Sequence, residues 1–150
     1  MTMPTLRLST NGKKNLRAIL MQKAEGIAYK IYDKSQENIK TARWATSTPG
    51  GAAISTITDT GSLARTGEIV AIENGYKIRY GAKYAQVVEE GLRKGVWVPI
   101  KVLQAWAGRK LRVDDPDSVA YAVRQKIHAY GIAPRPFLSR AFWEVVEGLK

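Results

Sequence analysis

Apolar residues in the first part of the chain recur with a helical period. Between Asn11 and Lys40 they fall at every third or fourth position, and lysines occupy much of the opposite face. This spacing predicts a long amphipathic helix over 11–40. Ser9, Thr10 and Asn11 supply side-chain oxygens for its N-cap. The apolar stripe consists of Leu16, Leu20, Ala24, Ile27 and Ile31.

The pattern changes to alternation in the middle of the chain. The segments 68–73 and 76–80 flank Asn74-Gly75, a pair that favours a type I′ turn, and together they predict a β-hairpin over 68–80. Pairing about that turn makes one face apolar, with Glu73 opposite Tyr76, Ala71 opposite Ile78, and Ile69 opposite Tyr80. The other face pairs Ile72 with Lys77 and Val70 with Arg79, so basic side chains half-cover it.

A lone hairpin is marginally stable in water, so we expect at least one further strand. The candidates are residues 84–89, residues 96–98 or a neighbouring subunit. The run 83–90 is too short for its period to distinguish a helix from an edge strand, and Gly91 ends it in either case.

Residues 45–62 are rich in Thr, Ser and Gly and carry one charge, at Asp59. This composition predicts a long flexible loop over about 45–60. Such a loop is either a surface connector or a segment that becomes ordered against a neighbouring subunit.

Three short helices are predicted in the last third. The first starts at Pro99 and runs to about Ala107, where Gly108 would cap it. The second opens on the acidic run 114–118 and stops at Gly131, and the third follows the segment 134–137. The order of elements indicates one α+β domain over residues 1–150, with a long N-terminal helix packed on a small antiparallel sheet, hairpin 68–80 plus one or two strands, and short C-terminal helices.

Composition narrows the classes of function. With 45% hydrophobic residues the chain can bury a core. Its net charge of +11 and pI near 10.0 attract polyanions, including DNA, RNA and anionic membranes, and the basic excess lies toward both ends. The lack of cysteine excludes disulfides and thiolate zinc sites and fits a reducing cytoplasm. No signal peptide or membrane span is evident, so we expect a soluble, unexported product.

Few residues suggest catalysis. His128 is the one histidine and falls near a predicted helix end, where its ring can interact with terminal carbonyls. Asp114, Asp115 and Asp117 are explained by a helix start, and neither a nucleophile elbow nor a phosphate loop occurs. We therefore expect no catalytic, metal or cofactor site. Several aromatics are either core and subunit contacts or a stacking platform for nucleic acid: Trp44, Tyr76, Tyr80, Tyr84 and Trp97.

Four segments, in order, resemble the tail-completion or neck proteins of long-tailed double-stranded DNA bacteriophages. Residues 60–66 (TGSLART) are similar to the Thr-Gly-x-Leu-x-x-Ser element of that family, with Thr66 in place of serine. Residues 84–91 (YAQVVEEG) are similar to its Tyr-Ala-x-x-x-Glu-x-Gly element. The stretch from Pro99 through Trp106 and Arg109-Lys110, followed by residues 121–131, looks like an insertion of a longer morphogenesis-protein branch. Residues 134–141 (PRPFLSRA) are similar to its Pro-x-Pro-Phe-Leu-x-x-Ala ending.

The resemblance implies a structural virion protein without catalytic activity. Such a protein forms a hexameric ring at the head-proximal end of the tail, assembled in the bacterial host cytoplasm, and helps to complete the tail and join it to the head. Its partners would be further copies of itself, other neck and tail proteins (stopper, tail terminator or tail tube), and double-stranded DNA in transit, with no membrane, cofactor or small-molecule substrate.

Two sets of residues are candidates for contacts in this setting. The subunit-interface set is Pro134, Pro136, Phe137, Leu138 and Trp97, in which Phe137 is either intramolecular core or an anchor in a neighbour. The set expected to face DNA is Lys77, Arg79 and Lys83. Two alternatives remain open, namely a basic nucleic-acid-binding protein and a small hydrolase built on Glu89, Glu90 and the aspartates.

Overall fold

The computed structural model describes Arg7 and residues 9–48, 51–55 and 61–150, with side chains described at Arg7, 9–44 and 61–150. The first element is helix α1 (Thr10–Thr41), which confirms the predicted amphipathic helix. Ser9 is its N-cap and accepts a hydrogen bond from the Gly12 N–H at 3.0 Å. All of its buried residues lie in the C-terminal half: Ala28, Ile31, Ser35, Asn38 and Ile39.

The interval predicted as a loop contains a second hairpin. Strands β1 (Trp44–Thr48) and β2 (Gly51–Ser55) pair antiparallel as a separate two-stranded sheet. The prediction of a loop is therefore wrong for these residues, because β-branched Thr46, Thr48 and Ile54 suit extended backbone despite the glycines around them. Residues 49–50 and 56–60 lie outside the described part, and ordering against a neighbouring subunit stays a prediction.

Strands β3 (Gly67–Ile72) and β4 (Gly75–Tyr80) form the predicted hairpin, but in a different register. Ile69 pairs with Ile78 and Ala71 with Tyr76, two residues away from the predicted pairing. The turn is Glu73-Asn74, neither residue has positive φ, and glycine follows at the position a type I turn favours. Because side chains alternate with a period of two, the shift leaves the same residues on each face.

The β3–β4 sheet gains no further strand from the described residues. Residues 62–65 form helix α2 (Ser62–Arg65), and the ambiguous run becomes helix α3 (Ala85–Glu90), while 96–98 is not a strand. The expectation of a third strand is therefore wrong for residues 84–89 and 96–98, and a strand from a neighbouring subunit stays a prediction. Helix α1 packs on the hairpin instead and supplies its missing cover. The predicted α+β class, with a long helix on an antiparallel sheet, is confirmed.

The remaining helices are α4 (Ile100–Lys110), α5 (Pro116–Tyr130) and α6 (Phe137–Glu147). Helix α4 continues through Gly108, which corrects the predicted cap, because that glycine keeps a helical conformation and the chain leaves the helix at Leu111. Asp115 caps α5 and Gly131 ends it, as predicted. Helices α4 and α5 pack on each other as an arm, residues 92–132, and α6 packs along α1.

The core lies where α1, α2 and α6 meet the end of β4. Its buried members are Ile39, Trp44, Leu63 and Phe137, and partly buried side chains from β4, α3 and α6 complete it. Helices α1, α2 and α6 are distant in sequence, and all three are held together by this one cluster.

Candidate functional site

Residues 61–66 are held to the end of the hairpin by Thr66. Its hydroxyl donates to the Leu63 carbonyl at 2.9 Å and accepts from the Ala82 N–H at 3.1 Å, and its carbonyl accepts from the Gly81 N–H at 3.1 Å. Leu63 itself is buried in the core. The single hydroxyl of Thr66 thus donates one hydrogen bond and accepts another.

Glu89 joins the segment 84–91 to the segment 134–141. Its carboxylate accepts the backbone N–H groups of Leu138 at 3.0 Å and Ser139 at 2.8 Å, and also the Ser139 hydroxyl. These N–H groups belong to the first turn of α6, where no intrahelical acceptor exists and the helix dipole favours negative charge. A second tie is the Arg135 N–H, which donates to the Val88 carbonyl at 2.7 Å. Glu89 therefore acts as the cap of α6.

We expect Glu89→Gln to lower the free energy of unfolding by about 1 kcal/mol, because a charge-assisted cap becomes a neutral one and the amide has one accepting oxygen where the carboxylate has two. Urea unfolding followed by circular dichroism measures this loss. The matched control is Glu90→Gln, since exposed Glu90 bonds Gln86 within its own helix. Equal effects of the two changes would contradict a capping role for Glu89.

Two glycines allow the chain to close the base of the arm. Gly91 has φ 73° and ψ −170°, and Gly131 has φ 76° and ψ −166°, a region that is essentially restricted to glycine. They flank an antiparallel bridge in which Leu92 and Ile132 exchange backbone hydrogen bonds at 2.9 and 2.7 Å. A Cβ on Gly91 would lie 2.5 Å from the Ile132 carbonyl oxygen, so the two segments approach as closely as glycine permits.

The predicted interface set does not stay together at the surface. Phe137 is 2% exposed and packs edge-on against Tyr80, with ring centroids 5.0 Å apart, so it is intramolecular core and not a free anchor. Pro134 is exposed, Pro136 is half-buried, and half-buried Leu138 lines a groove on α6. Trp97 lies in the arm and is 48% exposed.

A polar network beside the core was missed by sequence reasoning. The Tyr80 hydroxyl lies 2.5 Å from Ser35 Oγ, and Gln36 Nε2 donates to the Tyr32 hydroxyl at 3.1 Å and to the Ala64 carbonyl at 2.8 Å. Burial raises the pKa of Tyr80. Nearby, Asn38 Nδ2 donates to the Phe137 carbonyl at 3.1 Å. The available signal was the position of Ser35 and Asn38, four and seven residues after Ile31 and therefore on the buried face.

The cations expected to face DNA lie on the solvent side of the hairpin. Lys77 and Arg79 share the outer face of β4, and Lys83 follows the strand; all three are exposed. The Arg79 Nε lies 2.6 Å from the Glu68 carboxylate on the paired strand, so its charge is offset locally. The structure thus places two of these residues on one face.

His128 has a structural explanation. Its ring stacks on Trp97 with centroids 3.8 Å apart, and the Arg124 guanidinium lies 5.0 Å from the centroid of the same indole. Arg124 Nε also donates to the Val98 carbonyl at 2.9 Å. These contacts hold residues 97–98, at the start of the arm, against α5. Among residues 9–44 and 61–150, no group of three or more acidic, histidine or cysteine side chains is arranged to hold a metal ion.

An open groove of about 520 Å³ runs between α1, β4 and α6. Phe142 and Trp143 stand at its edge with 44% and 60% of their surface exposed, and their rings pack edge-on at 5.2 Å. The remaining lining is almost entirely apolar: Ala24, Ile27, Ala28, Ile31, Tyr76, Ile78, Leu138 and Ser139. In geometry and composition this groove suits an apolar partner surface.

Comparison with protein-family models, curated proteins and solved structures finds no match to this chain. Within the described residues, no helix is both long enough and apolar enough to cross a bilayer.

Proposed function

We propose that this chain is a structural virion protein that forms a ring, hexameric by the family resemblance, at the head-proximal end of a phage tail. The observation that carries the proposal is the order and spacing of the segments 60–66, 84–91 and 134–141. It is supported by the contacts that residues of these segments make. Thr66, Glu89 and Gly91 each contact a part of the domain outside their own segment.

The proposed mechanism is geometric. Head-to-tail contacts between copies close into a ring, and adaptable segments meet the stopper, tail terminator or tail tube proteins above and below. Exposed Lys77 and Lys83, with Arg79, would face the double-stranded DNA that passes through and attract its phosphates without regard to sequence. A ring with an acidic or neutral lumen would contradict this placement of the cations.

The experiment that tests the function is an amber codon in the gene, placed in a phage or prophage that encodes it. We expect a nonsuppressing host to accumulate DNA-filled heads and separate tails, with infectious titre lowered by several orders of magnitude and restored by the wild-type chain in trans. Mass spectrometry of purified virions from the suppressing host should detect the chain. Normal titre together with absence from the virion would overturn the proposal.

The second candidate is a basic nucleic-acid-binding protein, which the net charge of +11 favours. Such a protein binds DNA when isolated, with an affinity that falls steeply with salt. A tail-ring subunit does not require binding of free DNA. The hydrolase alternative has less support, since the Glu89 carboxylate is engaged by the first turn of α6.

A further inference from the structure

The N-terminal half of α1, residues 10–24, projects beyond the core. None of these residues is buried, and Leu16, Ile19 and Leu20 are 43%, 52% and 56% exposed. Its contact with the hairpin is at the tip, where Arg17 donates to the Glu73 carbonyl at 2.8 Å. A helix of this length is marginal without packing, and Gly12 lowers its propensity further. The segment therefore offers an apolar stripe for a partner.

The α1–α6 groove is the complementary feature. Its walls are Ile27 and Ile31 of α1 on one side and Phe142 and Trp143 of α6 on the other, with Tyr76 on the hairpin between them. From Ala24 to Ile31 the groove follows about 10 Å of α1, which is two helical turns. Leu16, Ile19 and Leu20 have the i, i+3, i+4 spacing with which an amphipathic helix fills such a groove.

The two features cannot satisfy each other within one molecule. Both lie on the same continuous helix, so Leu20 cannot fold back onto Ile27 while α1 persists. We propose that the groove receives the N-terminal half of α1 from a second copy of this chain. Each copy has one projecting helix half and one groove, so the contact propagates head-to-tail from copy to copy, and it gives a ring where the rotation between copies closes.

The exposed area fits a contact between copies. On the scale at which a large aromatic side chain buries 150–250 Å², Phe142 and Trp143 leave about 200 Å² uncovered. The three exposed aliphatic residues of 10–24 add about 150 Å² on the corresponding aliphatic scale. One side of a standard interface buries about 800 Å², a little over half of it apolar. Phe142 and Trp143 provide nearly half of that apolar share on the groove side, and Leu16, Ile19 and Leu20 provide about a third of it on the helix side.

The test is the mass of the purified chain in solution, by native mass spectrometry and light scattering. We expect wild type to form oligomers, and Leu20→Glu and Trp143→Ser each to run at the monomer mass of 16.6 kDa. The matched control is Val102→Glu, because Val102 is 60% exposed on α4, away from both features, and this variant should keep the wild-type mass. Circular dichroism and thermal unfolding verify that each variant is folded.

Mixing the two variants tests the specific pairing. Leu20→Glu retains an intact groove and Trp143→Ser retains an intact helix half, so the mixture should form mixed dimers through one good contact although neither variant associates alone. A monomeric wild type at about 100 µM, above the micromolar-to-picomolar Kd range of interfaces of standard size, would overturn the inference, as would a mixture that stays monomeric. As the contact of the proposed ring the inference rests on that function, but self-association is measured without phage, so the two fail independently.

Discussion

Phe137→Ala is expected to lower the free energy of unfolding by about 3–5 kcal/mol, the range for removing a fully buried phenylalanine. The ring is 2% exposed, packs edge-on against Tyr80, and belongs to the cluster with Ile39, Trp44 and Leu63. Its loss leaves a cavity at the point where α1, α2 and α6 meet. Urea unfolding at a protein concentration that keeps the chain monomeric measures the change.

The control for this prediction lies in the same helix. Phe142→Ala removes the same atoms from a side chain that is 44% exposed, so we expect it to cost less than about 1.5 kcal/mol. If both variants lost the same stability, or if Phe137→Ala were nearly neutral, the assignment of Phe137 to the core would be wrong. The pair therefore separates the intramolecular role from the alternative of an anchor in a neighbour.

Gly91→Ala is expected to cost about 3 kcal/mol, because the new Cβ meets two penalties together. The backbone conformation, φ 73° and ψ −170°, is strained for any residue with a Cβ, and that atom would lie 2.5 Å from the Ile132 oxygen and 2.8 Å from the Pro134 nitrogen. Relief requires the Leu92–Ile132 bridge to open. Hydrogen exchange at the Leu92 and Ile132 amides should accelerate along with the loss measured in urea.

The matched control is Gly108→Ala. Nothing lies within 4 Å of a Cβ at this position in α4, so alanine should stabilise the protein by about 0.5–1 kcal/mol through higher helix propensity. Opposite signs at Gly91 and Gly108 are the expected outcome. A neutral Gly91→Ala would show that the base of the arm adapts and that close approach at this glycine is not required.

Helices α1, α4, α5 and α6 were predictable because their signals are local, whereas α2 was not predicted and α3 was left undecided between a helix and a strand. Ser9 caps α1, Asp115 and Pro116 open α5, and Gly131 closes it, each within one turn of the boundary it sets. The hairpin was found for the same reason, but its register was not. Asn74-Gly75 fits two turn positions equally well, and the structure places the turn at Glu73-Asn74. A local motif identifies the turn but does not determine which residue of it comes first.

The nonlocal contacts were beyond sequence reasoning. Glu89 reaches a helix 49 residues away, and Asn38 reaches the Phe137 carbonyl across 99 residues. Helical and strand periodicity relate residues only a few positions apart, so neither contact is predicted by such a pattern. The position of Phe137 shows the same limit, because an aromatic residue after Pro136 is equally suited to a core or to an interface. Burial decides between them, and burial depends on how α1 and α6 pack.

The paired crossing at Leu92 and Ile132 makes the arm a separable module. The arm begins at Leu92 and ends at Ile132, which are paired, so it joins the rest of the domain at one place. Within the described chain α4 and α5 pack chiefly on each other. If α4 and α5 were lost or replaced together, only the Leu92–Ile132 bridge would change. The Glu89 cap of α6 and the core cluster around Phe137 would remain. The length of the arm can therefore vary in evolution without loss of the contacts that fold the rest of the chain.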